Sequence, residues 1–412
     1  MRVLFLGPSY PQEMQQFTRG LAEVGAEVYG VGDTPVSALP PSLERYLSAY
    51  LEVPRLLDED DVIARCSAWL RGRSIDRVLS NWEPTVVLAA RLRERWGIPG
   101  MSVDTVEGFR DKQLMKERVA AAGVRVPRSE RVVRDHDRRA SDARVREAAE
   151  RVGSPLILKP IAGAGSADTY ACRDRAELDA AIAATAHVRE LSVEEYIEGE
   201  EFTHDTVCVE GEPIYENVAQ YLPKPLEARS QQWISPVIIT VRDLAQPKIR
   251  AGSRLGRQVL DALNMGDGFT HMEWFYTPKG EAVFGEIGCR PGGARLVDQM
   301  NYTGDIDLFR EWARAACWHA FEASTARKYN CGVIFKRALG NGRITRIEGL
   351  ESFKRSIGGA LVEDQLSRPG TPRRDWKATL VSDGYLMVRH GDWDTCRRIC
   401  AAAATDIKLY AQ

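Results

Sequence analysis

The chain has 412 residues, enough at about 150 per domain for two to four modules around a sizeable core, which excludes a miniature scaffold. Its 44% hydrophobic, 28% charged and 8% aromatic residues are those of a globular enzyme and exclude a disordered or fibrous chain. Lys and Arg number 56 against 58 Asp and Glu, for a net charge of −2 with no long basic run. A nucleic-acid binder's electrostatic footprint is therefore missing, and any anionic ligand must be held by local groups.

No segment approaches the roughly 18 apolar residues of a membrane span, and the mean hydropathy is −0.31. The opening MRVLFLGPSY has a short apolar run before Gly7 and Pro8, too short for a signal-peptide core, so a cytoplasmic protein with no membrane partner is expected. The eight cysteines are scattered without a CxxC pair and read as reduced structural thiols.

Residues 3–7 read as a buried strand. Met14, Phe17, Leu21 and Val24 follow at helical spacing, and AEVYGVG is a second strand. A similar unit recurs at 76–100: the strand DRVLSNW, Pro84 at a helix start, an apolar-striped helix through Trp96 and the stop GIPG. An open parallel sheet is implied, with ligands expected at the carboxyl ends of its strands, around Gly7–Tyr10 and Asn81–Glu83. A helix over 111–122 precedes a charge-dense stretch near 134–151, read as a solvated helix or linker.

Strands SPLILKP, TYACRD and LSVEEYIEG with the helix RAELDAAIAATA then make a small α+β lobe. Paired strands over 201–241 turn at Glu210-Gly211 and run into a Pro-containing loop from Tyr221 to Pro236, read as a mobile cap. A helix over 247–263 leads into the hairpin FTHMEWFY-TPKG-EAVFGEIG. The tail from about 330 holds short strands, the strand YLMVR and a helix through 394–403.

The P-loop, the GxGxxG turn after the first strand and HExxH are all absent, so P-loop ATPase and simple dehydrogenase readings drop out. Two separate lysines stand in their place. Lys112 opens a helix, and Lys159 ends the strand PLILKP just before Gly163, Gly165 and Ser166. Phosphates need point cations and closely approaching backbone N–H donors, which a lysine beside a Gly/Ser turn supplies; a surface lysine and a plain hairpin turn are the bland alternatives.

In VEEYIEGEEF, apolar residues interrupt the acids, so the segment is either a ligand-binding bend or a salt-bridged surface turn. In the hairpin, Glu273 and Glu286 fall on one sheet face in either register of the 277–281 turn, directly opposite or diagonal. Two such carboxylates repel unless a cation lies between them, and oxygen ligands favour Mg²⁺ with nucleotide phosphates. Arg290, in GCRPGGARL, is suited to a substrate carboxylate or a transferring phosphoryl oxygen. His204 and His271 read as packing or hydrogen-bonding residues, because no second His or Cys sits at ligand spacing.

The segments DKQLMKERVAAAGVRVP, PLILKPIAGAGSAD, VEEYIEGEEFTHD and HMEWFY…FGEIGCRPGG occur in the order and approximate spacing of the ATP-grasp superfamily. The chain resembles in particular its carboxylate–amine (amino acid) ligase branch. That resemblance implies an α/β fold: a preATP-grasp open parallel sheet over 1–108, a two-lobed α+β ATP-grasp domain over 109–325 and a C-terminal α+β subdomain over 326–412. The lid lobe would span about 124–194 and the metal hairpin 269–288.

Carried over by position, Lys112 and Lys159 would contact ATP phosphates, with Gly163, Gly165 and Ser166 in the lid. Glu194 would reach the adenine amino group, the backbone of Glu195 and Ile197 would read the adenine edge, and Glu201 would hold the ribose. Glu273 and Glu286 match the metal acids, and Arg290 matches the arginine that steadies an acyl phosphate. The implied cofactors are ATP and Mg²⁺, with Mn²⁺ as a substitute, and the implied partners are a small carboxylate and an amine. A homodimer is the assembly left open.

The implied reaction is ATP-dependent amide formation through an acyl phosphate with release of ADP and phosphate. A carboxylase, a nucleotide-precursor ligase or a non-catalytic nucleotide-binding protein are the alternatives. One departure is Gly288 where many members carry Asn. It implies a weakly held second Mg²⁺, and an expected tightening of that ion when Gly288 is replaced by Asn.

Overall fold

The computed structural model describes residues 1–161 and 168–412. Its first unit is a parallel sheet of β1 (Arg2–Leu6), β2 (Glu27–Gly32), β3 (Ala49–Glu52) and β4 (Arg77–Leu79), in the order β3-β2-β1-β4. Val3 and Phe5 face one side of it, packed with Phe17, Phe309 and Trp312, while Leu4 and Leu6 face the other with Val62 and Leu88. Burial on both faces explains why β1 reads as a continuous apolar run. β4 is shorter than the predicted DRVLSNW because Ser80–Trp82 leave the ladder, and a 3₁₀ turn at Glu83–Thr85 precedes the helix Val86–Trp96.

The small lobe is an antiparallel sheet of β5 (Ser129–Val133), β6 (Leu156–Pro160), β7 (Tyr170–Cys172) and β8 (Glu190–Glu195), in the order β5-β8-β6-β7. Its core joins Leu156, Leu158, Leu191 and Val193 to Val145, Ala148 and Val152 of the helix Arg138–Val152. The charge-dense stretch is therefore the helix of the two expected readings and not a linker, though one of its faces is buried. Its apolar residues recur at 3–4 spacing and cover one face of this sheet, leaving the charges outside.

The large lobe begins with β9 (Glu200–Val209), β10 (Glu212–Leu222), β11 (Val237–Thr240), β12 (Gly268–Tyr276) and β13 (Ala282–Gly288). The tail adds β14 (Asn330–Phe335), β15 (Leu339–Gly340), β16 (Ile344–Glu348), β17 (Leu361–Asp364), β18 (Tyr385–His390) and β19 (Lys408–Ala411). One eight-stranded sheet runs β13-β12-β9-β10-β11-β14-β18-β17, and β15, β19 and β16 form a separate three-stranded sheet. Residues 326–412 therefore lend three strands to the central sheet, which crosses the expected boundary at 325/326. The helix Leu308–Trp318 ties the units together, because Phe309 and Trp312 pack on both β1 and the central sheet's Val207 and Phe269.

The segment after β10, expected to cap the site, does lie on the cleft, with Lys224, Pro225 and Glu227 among its lining residues, and it is tied to the tail. It contains the helix Pro225–Ala228, and the buried Arg337 Nη1 donates to the carbonyls of Ala228 (2.6 Å) and Gln231 (2.9 Å). Gln232 Nε2 donates to the Ala338 carbonyl at 2.7 Å. The two loop carbonyls satisfy Nη1 of this buried guanidinium, which ties the segment in place as a cleft wall. All eight cysteines are buried and unpaired, as structural thiols should be. Among the described residues no helix is long and apolar enough to cross a membrane.

Candidate active site

The two lobes enclose a cavity of about 920 Å³ between the small sheet and the β12–β13 hairpin. That volume lies within the range of small-molecule and cofactor sites. Four segments deliver its charged groups. Asp111 caps the helix Lys112–Ala121, its Oδ1 accepting from the backbone N–H of Gln113 and Leu114 at 3.0 Å each, so that Lys112 emerges at the first turn facing the cavity. In β6 the buried Leu156 and Leu158 alternate with Ile157 and Lys159, which turn to the cavity. Glu194 lies opposite Ile157 on β8 and shares that face.

Glu273 and Glu286 are direct cross-strand partners on β12 and β13 through a β-bulge: the pairs from Tyr276–Ala282 to Trp274–Phe284 would by themselves leave Glu286 opposite Met272, and the one-residue shift beyond Trp274 brings it opposite Glu273. The alternate residues Met272, Trp274, Phe284 and Ile287 are buried on the opposite face with the helix Pro247–Ala262. The bulge lets Phe284 and Glu286, two residues apart, face opposite sides of the hairpin, so the aromatics stay buried while both carboxylates face the cavity.

The lysines and acids form one ion-pair network. Lys159 Nζ lies 3.1 Å from Glu194 Oε2 and 3.3 Å from Glu286 Oε2, and Lys112 Nζ lies 3.5 Å from the same Glu286 oxygen. Lys116, which the sequence reading passed over, places its Nζ 2.5 Å from Glu194 Oε1. It sits one helical turn after Lys112, and that i,i+4 spacing was the signal that it shares the face. Burial opposes the Glu194 charge, but Lys116 and Lys159 hold its carboxyl down at about 2. Burial pulls the Lys116 ammonium down to about 8 against the attraction of Glu194. For Glu286 the three lysines more than offset burial and keep the carboxyl well below the usual range.

Glu194 thus has both oxygens engaged, with Ser192 Oγ adding a 2.7 Å hydrogen bond. In this arrangement Glu194 meets two lysines and a serine, and its expected contact with the adenine amino group would have to share an oxygen with them. Glu195 turns its side chain to Arg125 Nη2 (2.8 Å) and the Arg128 backbone N–H (3.1 Å), while it and Ile197 line the cavity beside Pro127, Ile157 and Tyr196. Glu201 is buried on the cavity wall. Burial and the neighbouring Glu273 raise its carboxyl to about 8. Gly163, Gly165 and Ser166 lie outside the described residues.

Burial and the facing Glu286 also raise the Glu273 carboxyl, whose Oε1 accepts from Tyr221 Oη at 3.1 Å. A cation between Glu273 and Glu286 would remove that repulsion. Among the described residues no three His, Cys, Asp or Glu side chains form a preformed metal cage. Two carboxylates that need phosphate oxygens to complete a shell suit a hard divalent ion arriving with a nucleotide.

Arg290 follows the hairpin. Its Nε is paired with Glu83 Oε2, and Glu83 Oε1 is paired with Arg110. Glu83 lies at the carboxyl end of β4, in one of the loops expected to carry a ligand, and burial of its charge is more than offset by Arg290 and Arg110. The N-terminal sheet thereby reaches into the site from 207 residues away.

A family description of the ATP-grasp domain matches residues 152–298. The L-arginine-specific L-amino acid ligase of Bacillus subtilis is 26% identical over 301 residues, covering 71% of this chain and 70% of that protein. The solved L-amino acid ligase of Bacillus licheniformis superposes with a TM-score of 0.78 at 17% identity, covering 100% of this chain and 98% of the other. The N5-carboxyaminoimidazole ribonucleotide synthetase of Thermotoga maritima superposes at 0.71 and 18% identity, covering 100% and 99%. Residues 152–298 thus match the ATP-grasp domain, and the chain as a whole has the fold of these solved enzymes.

Proposed function

We propose that the chain is an ATP-dependent carboxylate–amine ligase whose acid substrate is an amino acid or another small acid. The observation that carries this reading is the convergence of Lys112, Lys159, Glu273 and Glu286 on one cavity, with the Arg290 guanidinium near enough to feel both acids. The curated relative named as an L-amino acid ligase supports the substrate class. A substrate carboxylate attacks the γ-phosphorus of ATP, giving an acyl phosphate and ADP; a neutral amine then attacks the acyl carbon, loses one proton and expels phosphate, which can carry that proton away, to leave an amide.

Lys112 and Lys159 would neutralise the phosphates, and Glu273 with Glu286 would hold Mg²⁺, or Mn²⁺ in its place. The ion supplies charge neutralisation on the transferring phosphoryl oxygens. The ion pairs of Glu286 with Lys112 and Lys159 suggest that metal and nucleotide enter together: a cation at Glu286 releases both lysines towards the phosphates. Arg290, oriented by Glu83, is placed to hold the substrate carboxylate and then the acyl phosphate oxygens. Ile157, Tyr196, Ile197 and the Glu195 backbone form the wall for the base, and Glu201 is suited to a ribose hydroxyl. Glu194 acts through the lysines it orients.

Assay of ADP, AMP and phosphate with amino acids supplied singly and in pairs tests the reading. ADP and phosphate should accumulate only when an acid is present, with amide appearing only when an amine is added. Stoichiometric AMP would exclude the mechanism, and ADP release dependent on bicarbonate would move the chain to the carboxylase alternative.

The Gly288→Asn expectation changes sign. Gly288 has no positive φ, so the backbone admits a side chain, but a Cβ there would lie 3.3 Å from Glu83 Oε2 and 3.6 Å from Arg290 Nε. Asn should therefore push Glu83 away from Arg290, raising KM for the acid substrate without tightening the metal. Rate titrations against acid and free Mg²⁺ check this; an unchanged KM with a tighter metal phase would contradict it.

A further inference from the structure

A buried pair next to Glu273 takes no part in the chemistry above. His271 lies two residues before Glu273 on β12 and so shares its face of the sheet, with Asp205 as its cross-strand partner on β9. His271 Nδ1 and Asp205 Oδ1 are 2.6 Å apart. Asp205 is 1% exposed, and its Oδ2 accepts from Thr203 Oγ1 at 2.8 Å and Asn217 Nδ2 at 3.0 Å. Asn217 Oδ1 accepts in turn from Arg327 Nη2 at 2.7 Å. Burial opposes the Asp205 charge, but His271 and these donors hold its carboxyl below the usual range.

An ionised Asp205 can only accept, so Nδ1 of His271 carries the proton and the ring is locked in one orientation. That orientation puts Nε2 3.9 Å from Glu273 Oε1. The same ring abuts Gly292, two residues beyond Arg290: a Cβ at Gly292 would lie 2.9 Å from Nδ1 and 3.1 Å from Cε1. The imidazole is therefore wedged between the carboxylate on β12 and the turn that carries Arg290.

We propose that Asp205 and His271 are positioning residues: Asp205 locks the imidazole, and the imidazole braces Glu273 against the Pro291–Gly293 turn, fixing the metal-holding carboxylate relative to the Arg290 guanidinium. The inference rests on the ligase reading of the site. Groups that orient a metal-holding side chain typically change metal affinity by about 10–100-fold when removed, without touching the ion.

The test measures free Mn²⁺ by electron paramagnetic resonance in mixtures with the full chain and ADP, with no acid or amine present, so that turnover plays no part. In His271→Asn the Mn²⁺ dissociation constant should rise about tenfold, while ADP affinity measured without metal stays within about twofold. A merely structural histidine would change both affinities together or neither. Gly292→Ala, which keeps every polar group but crowds the ring, should shift Mn²⁺ affinity in the same direction and serves if His271→Asn does not fold.

Unchanged Mn²⁺ affinity in a folded variant, or parallel loss of metal-free ADP binding, overturns the brace while leaving the ligase reading intact. Failure of the wild-type chain to hold Mn²⁺ with ADP at all would remove both.

Discussion

Lys159→Ala is expected to lower kcat by about 10² or more while the chain stays folded. The ammonium stands 3.1 Å from Glu194 and 3.3 Å from Glu286 at the end of β6, the position from which it would meet charge developing on transferred phosphoryl oxygens. Preorganised donors and cations aimed at such charge are worth several kcal/mol, roughly 10² to 10³ in rate. The fold should survive because the acids left behind keep partners: Glu194 retains Lys116 and Glu286 retains Lys112. Metal affinity should not fall, since Lys159 competes with a cation for Glu286. Single-turnover ADP formation alongside calorimetric unfolding separates these effects; turnover within about threefold of wild type in a folded Lys159→Ala protein would displace Lys159 from the chemistry.

Lys116→Met should do the reverse, costing stability before it costs chemistry. Both Lys116 and Glu194 are almost fully buried, and deleting one member of a buried pair leaves a charge that desolvation penalises by about 3 kcal/mol or more. Glu194 gives the acid dependence. Its carboxyl is held at about 2 in the fold against 4.5 ordinarily, so its contribution is complete above 4.5 and is lost as pH falls towards 2. In Lys116→Met the carboxyl is less depressed, so that loss should begin at higher pH.

Lys116 itself is lowered from 10.5 to about 8, so the unfolded chain binds the extra proton between those values and wild-type stability should rise with pH across that window. Urea midpoints at pH 7 and pH 3 test the acid limb, and midpoints at pH 8 and pH 10 test the basic limb. The double variant Lys116→Met/Glu194→Gln should recover much of the lost stability, because no unpaired charge remains. An unmoved midpoint at pH 7 in the single variant would show that the pair contributes nothing.

The sequence by itself determined the local chemistry of the site. Alternation along PLILKP put Lys159 on the face opposite Leu156 and Leu158, whereas Glu273 and Glu286 share a face only through the one-residue shift of the hairpin beyond Trp274, which the turn does not encode. The order of the four motifs was enough to point to the ATP-grasp domain that is matched over residues 152–298. The alternation is legible because helix and strand periods act over a few residues, and their apolar positions report which face is buried.

Only the tertiary structure decided which distant charges meet. Glu194 joined Lys116 and Lys159, and Glu83 crossed from the N-terminal sheet to Arg290. Asp205 locked His271, and the tail strands β14, β18 and β17 completed the central sheet. No local period encodes such pairings, because a buried charge takes whichever partner the docking of lobes brings within reach. The docking itself is set by apolar surfaces such as Phe309 and Trp312, far in sequence from the charges they bring together.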